Sequence, residues 1–179
     1  MRRSRALVIL LILVLAAFAL RAFRLDFQSL WYDEAFSVYL AQFSLVEITA
    51  RTAADIQPPL YYYLLHVWIA LAGEREFAVR FLSLSFGLLT IPLLFVTARG
   101  LFNLPAAILA ALLATFSPLY LWYSQEARMY TLITFLLLLS GYAMVRGMRV
   151  QTSEVLQSTP VARRSLKRSG REQRSGARL

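Results

Sequence analysis

The sequence has no cysteine, a single histidine (His66) and a single lysine (Lys167), and only 16% of its 179 residues are charged, against roughly 25% in soluble domains. The missing cysteine excludes disulfide frameworks, thiol nucleophiles, cysteine zinc sites and cysteine-ligated clusters, and it leaves the redox compartment undetermined. A glycine-rich phosphate loop, a dinucleotide fingerprint and an internal repeat are also missing. Apolar side chains are abundant. They make up 59% of the residues, above the roughly 45–50% of soluble chains, so a bilayer is the expected solvent. The formal charge is +9, but residues 151–179 hold seven basic and two acidic side chains, which is five of those nine units. The remainder is only mildly basic. The high pI is therefore weak support for nucleic-acid binding, because the excess charge lies in a tail and at membrane-flanking positions.

Ala6 to Leu20 is an unbroken apolar run. With Arg21-Ala22-Phe23 snorkelling at its far end, it reaches the roughly 20 residues that a spanning helix needs. A secretory signal peptide is the alternative, since Arg2, Arg3 and Arg5 precede a long apolar region containing Ala16, Ala17 and Ala19. A span is preferred because no polar cleavage region precedes Arg21 and further apolar runs follow. The expected fold is an all-α membrane protein with spans over about 6–23, 77–98, 104–122 and 129–146. Residues 60–72 form a shorter run rich in aromatics (Tyr61, Tyr62, Tyr63, Trp68), and this predicts an interfacial or re-entrant helix. Residues 1–150 thus form a transmembrane module. The Gln-, Ser-, Arg- and Gly-rich residues 151–179 read as a disordered basic tail drawn to anionic lipid.

With four spans, the N-terminal arginines, Arg99, Arg146, Arg149 and the tail share one side, which the positive-inside rule makes cytoplasmic, with both termini there. The loop from about Arg24 to Glu76 and the short loop Tyr123 to Arg128 then face the extracytoplasmic side, and together they hold all eight acidic residues that precede the tail. A fifth span over 60–72 would move Arg99 outside and separate the two acidic clusters, so four spans are preferred.

Three stretches could carry chemistry. Leu30-Trp31-Tyr32-Asp33-Glu34-Ala35 sets two carboxylates among aromatic rings, where desolvation raises a carboxyl pKa and suits a general base. The same pair would also charge the first turn of a helix starting near residue 33, and both readings stay open. Asp55-Ile56-Gln57-Pro58-Pro59-Leu60 gives an extended segment followed by a helix start. There solvating the turn is the alternative role for Asp55, and His66, one turn after Tyr62, reads more readily as a hydrogen-bonded interfacial residue than as a ligand. Ser124-Gln125-Glu126-Ala127-Arg128 puts Glu126 and Arg128 at a junction of spans, where ionisable groups are paired or functional. They could form a loop ion pair, or Arg128 could clamp a phosphate.

Trp31-Tyr32-Asp33-Glu34-Ala35, Gln57-Pro58-Pro59-Leu60-Tyr61-Tyr62, Leu64-Leu65-His66 and Trp68, Gly73 and Glu76, Arg80-Phe81-Leu82-Ser83, Ser117-Pro118 and Tyr123-Ser124-Gln125-Glu126-Ala127-Arg128-Met129-Tyr130 occur in that order. Residues 20–147 thereby resemble the N-terminal part of prokaryotic membrane glycosyltransferases of the protein-mannosyltransferase and aminoarabinose-transferase group, family 39, with the GT-C fold. The resemblance implies a cell-membrane enzyme that transfers a sugar, with inversion, from a polyprenyl-phosphate donor to an extracytoplasmic acceptor. It implies Asp33 as general base with Glu34 in support, Glu126 orienting acceptor or donor, and Arg128 on the phosphate; Asp55 and His66 are further candidates for binding. Family members normally run to several hundred residues with many more spans, so the resemblance also implies a truncated chain. The sequence itself calls for no cofactor. Asp33, Glu34 and Glu126 could supply oxygen ligands to a divalent cation, but three carboxylates without established geometry do not make a site. A non-enzymatic membrane subunit or scaffold is the competing class. A transporter is disfavoured because the spans lack the internal charges that line ion paths.

The topology is testable because the native chain has no cysteine. Ser44→Cys, Ser124→Cys and Ser153→Cys are expected to react with a membrane-impermeant maleimide from outside, outside and inside respectively. Labelling at position 124 only after permeabilisation would place Glu126 and Asp33 on opposite sides of the bilayer.

Overall fold

A computed structural model describes residues 2–55 and 57–158. Among them are eight helices and no strand: α1 Arg2–Ala22, α2 Tyr32–Ala41, α3 Leu45–Ala54, α4 Leu60–Ala72, α5 Glu76–Leu101, α6 Leu104–Phe116, α7 Pro118–Ser124 and α8 Tyr130–Ser158. The chain divides into two compact units, residues 1–139 and residues from 140 onward. The packed cores and the cleft both belong to the first. Within the second, the Arg146 guanidinium lies 5.9 Å from the Tyr142 ring centroid.

Three helical stretches are long and apolar enough to cross a membrane, Ser4–Ala22, Glu76–Leu101 and Tyr130–Arg149. The expected straight span over 104–122 is corrected: α6 and α7 are bent by 59° at Ser117-Pro118. Thirteen residues make a helix of about 20 Å, short of the ~30 Å hydrocarbon core, so α6 completes a span only together with α7. The same length argument applies to the 13-residue α4. Helix α8 continues through Ser158, so the first eight positions of the segment expected to be a disordered tail are helical. Residues 159–179 lie outside the described residues.

The break in the third span has a chemical cause. Pro118 has no N–H for the Ala114 carbonyl, and its ring opposes continuation of the preceding turn. Ser117 instead caps α7, its Oγ accepting from Tyr120 N at 3.3 Å. The carbonyls released at the end of α6 would be costly in an apolar surrounding, and Arg21 supplies their donors. Its Nη2 donates to Ala114 O at 2.9 Å and its Nη1 to Thr115 O and Ala17 O at 3.3 Å each. Its Nε reaches Ser124 Oγ at 3.2 Å. Arg21 is 0% exposed, so the expected snorkelling arginine is corrected to a buried one that bridges α1, α6 and α7. Gln125 completes the join by donating to Arg21 O and Phe23 O at the end of α1.

Two apolar cores flank this junction. One joins Ala6, Leu13 and Ala17 of α1, Ile91, Phe95 and Ala98 of α5, and Ala107 and Ala111 of α6, where small residues let helices approach closely. The other gathers Val38, Leu40, Tyr61, Tyr62, Leu65, Val79 and Leu82 from α2, α4 and α5. Helix α3 is set by a capping box, with Ser44 Oγ accepting from Glu47 N and Glu47 Oε2 accepting from Ser44 N.

Ser124 is fully buried, so a cysteine there is shielded whichever side it faces. Gly87 of α5 sits against the same serine: a Cβ at position 87 would come 2.5 Å from Ser124 Oγ and 3.0 Å from its Cβ. Gly87→Val should therefore lower the thermal midpoint in detergent, at a cost of about 1–3 kcal/mol from overpacking. Combining it with Ser124→Gly should recover part of the loss, and an unchanged midpoint in the single variant would refute the close approach.

Candidate functional site

The site begins with Glu34. Trp31 is extended (φ −83°, ψ 172°) and caps α2, which puts Glu34 at the third helical position, where its Oε2 accepts from Trp31 N at 3.3 Å. A glutamate there suits both the exposed N–H groups and the helix dipole. It is also buried, and a buried carboxylate needs a cation. Arg80, in the second turn of α5, provides it through two parallel bonds, Nε to Oε1 at 2.8 Å and Nη2 to Oε2 at 2.6 Å. The remaining Arg80 donors go to Leu25 O, Gln28 O and Ser29 O at 2.8, 2.7 and 3.2 Å. Glu34 Oε1 additionally accepts from Ala127 N at 2.9 Å. One ion pair therefore ties together the loop after α1, the start of α2, α5 and the turn before α8.

Asp33 and Glu34 are adjacent in sequence but differ in role. The half-buried Asp33 carboxylate receives no hydrogen bond from any described residue, whereas its main-chain carbonyl accepts from Ser37 Oγ at 2.9 Å and from Arg128 Nη1 at 3.4 Å. Arg128 is 7% exposed, and its Nε is buried without a partner. Among the described residues no ion pair joins Glu126 to Arg128. Glu126 instead accepts from the Trp122 indole at 2.5 Å. Burial pushes the Glu126 carboxyl above the usual carboxylate range; the Trp122 bond opposes this and the charge of Glu34 adds to it. Ser83 braces the arrangement from α5 by accepting from the Tyr61 hydroxyl (2.9 Å), donating to Arg128 O (3.0 Å) and offering its own carbonyl to Thr131 (2.9 Å).

Beside the ion pair lies a cleft of about 290 Å³, walled by Arg24, Gln28, Trp31, Trp122, Gln125 and Glu126, with Glu34 and Arg80 also in its lining. Asp55 and His66 are elsewhere. Asp55 ends α3 and accepts from Gln57 Nε2 at 2.8 Å, while the Gln57 carbonyl oxygen takes the Tyr62 hydroxyl. His66 Nδ1 lies 2.7 Å from Ala41 O at the end of α2, which makes it a tie between α4 and α2. The sequence reading gives Arg80, Trp122 and Gln125 no role in the site, although Arg80 and Gln125 stand in the motifs that carry the resemblance. The signal for Arg80 was available: an arginine inside an apolar helix asks for a buried acid, and Glu34 is the acid that meets it.

The family model described as dolichyl-phosphate-mannose-protein mannosyltransferase matches residues 56–159, which is more than half of the chain. The matched stretch takes in Arg80, Glu126 and Arg128, while Asp33 and Glu34 precede it. Comparison with curated proteins and with solved structures gives no match.

Removing one member of a buried pair strands the other charge, which typically costs about 3–5 kcal/mol. Arg80→Met and Glu34→Met are each expected to lose stability on that scale in a detergent thermal-unfolding assay. The double variant should lose less than the sum of the two, and strictly additive losses would mean that the pair is not coupled.

Proposed function

The chain belongs to the dolichyl-phosphate-mannose-protein mannosyltransferase family, and from that membership and the geometry of the site we propose that it transfers a sugar from a polyprenyl-phosphate donor to an acceptor hydroxyl at an extracytoplasmic membrane face. The family supports a multi-pass membrane glycosyltransferase. The observation that carries the finer reading is the bond from Ala127 N to Glu34, which joins segments 93 residues apart and so brings the loop of Asp33 to the turn of Glu126 and Arg128.

Asp33 acts as the base. Its carboxylate takes the proton of the acceptor hydroxyl, the resulting oxygen attacks the anomeric carbon, and the bond from that carbon to the lipid phosphate breaks with inversion. Glu34 holds the loops, both its oxygens being committed to Arg80 and main-chain N–H groups. Glu126, largely shielded from solvent, orients a hydroxyl of the acceptor or donor. Arg128 reaches the carbonyl of Asp33 and fixes where the base stands.

The test is transfer of a radiolabelled sugar from a polyprenyl-phosphate donor by membranes carrying the full chain. Asp33→Asn is expected to lower the rate by about 100-fold or more, the usual contribution of a general base, while Glu126→Gln raises KM more than it lowers kcat. Full turnover in Asp33→Asn would falsify the assignment of the base. A stable stoichiometric partner co-purifying with a chain that transfers nothing would favour a subunit role instead.

A further inference from the structure

The cleft contains a cation that the proposed chemistry does not use. Arg24 follows the last turn of α1, where it has φ 57° and is the one non-glycine residue with positive φ among those described. The left-handed position after a helix is where glycine is favoured, because a Cβ is strained there. An arginine at that place weakens the turn locally, and such outliers concentrate at functional sites.

The side chain is equally distinctive. The Arg24 guanidinium lies over the Phe27 ring at 3.4 Å from its centroid, and no described residue accepts a hydrogen bond from it. Stacking occupies the face of the planar group and leaves its N–H edge free, the orientation in which arginine grips two oxygens of a phosphate. The other charges of the cleft are already engaged. Arg80 and Glu34 neutralise each other, and Glu126 is held by the Trp122 indole. Arg24 is thus the lining cation with its donors available. Around it Phe23, Phe27 and Trp122 are 69, 72 and 64% exposed, an apolar rim suited to a lipid chain. The cleft itself, at about 290 Å³, is just below the ~300–1,000 Å³ of ligand pockets, enough for a head group and too small for a polyprenyl tail.

The geometry points to Arg24 as the residue that binds the phosphate of a membrane lipid at the mouth of this cleft. The inference deepens the proposed function by locating the donor phosphate. Its test requires no turnover, so the two can fail separately.

The full chain in zwitterionic nanodiscs is titrated with geranyl phosphate, and quenching of the cleft tryptophans Trp31 and Trp122 is followed. Arg24→Gly should weaken binding by about tenfold or more, the scale of one charge-assisted bidentate contact, while the thermal midpoint stays level or rises as the strain is relieved. Arg24→Lys, which keeps the charge and loses the fork, should fall between the two. Competition by inorganic phosphate would show that the phosphate group alone is read. Loss of the Arg24 dependence in nanodiscs containing phosphatidylglycerol, without competition by inorganic phosphate, would identify a glycerophospholipid head group as the source. Either outcome supports the site. Wild-type affinity in Arg24→Gly, or no binding of any of these probes by the wild-type chain, overturns it. Intact Arg24-dependent binding in a chain that transfers no sugar would overturn only the glycosyltransferase reading.

Discussion

The described structure depends on the pairing of Glu34 with Arg80. A carboxylate and a guanidinium, 1% and 7% exposed at their side chains, are tolerable in a low-dielectric setting only when every remaining lone pair and proton is also satisfied. That requirement recruits Leu25, Gln28, Ser29, Trp31 and Ala127 through their main chains. The loop after α1 has no regular structure to hold it, so its path follows from where the arginine's donors point. The cleft is lined by that loop and by the turn at Trp122–Glu126, which Gln125 joins at Arg21 O and Phe23 O.

A buried ion pair contributes less to net stability than its geometry suggests, since desolvation offsets much of the attraction. Its consequence is specificity of placement. Apolar contacts between α2, α4 and α5 would allow small slides of one helix along another, whereas a two-pronged bond with five main-chain dependents accepts one register. The neighbouring Asp33 is then presented by a fixed first turn without being consumed by it.

Much of this was legible in the sequence. Apolar run length located α1, α4, α5 and α8, because helices in a bilayer must satisfy their own backbone and the hydrocarbon thickness sets their length. The aromatic and acidic stretches around Asp33 and Glu126 stand out in the sequence, and the bond from Ala127 N to Glu34 joins them in the fold. The break at Ser117-Pro118 was in plain view as residues but was read as a continuous run, since hydropathy averages over the one position where proline removes a donor. Arg21 was assigned to the interface because a charge at the end of an apolar run usually snorkels; the carbonyls that draw it inward belong to α6, far along the chain. Pairing across such distances has no signature in a single sequence. The division of labour between Asp33 and Glu34 is of the same kind, fixed by which of two adjacent side chains faces Arg80.

The burial of Arg21 bears on biogenesis. Its acceptors Ala114 and Ser124 lie 93 and 103 residues further along, and at about 5–20 residues per second of synthesis several seconds pass before they exist. Throughout that interval the only one of its acceptors yet made is the Ala17 carbonyl of its own helix. The nascent helix must therefore keep this arginine in water at the surface and draw it inward only when α6 and α7 arrive. Insertion and packing of the first helix are separate events, and the chain carries in its first twenty-one residues a side chain whose final place is created by residues 114–124.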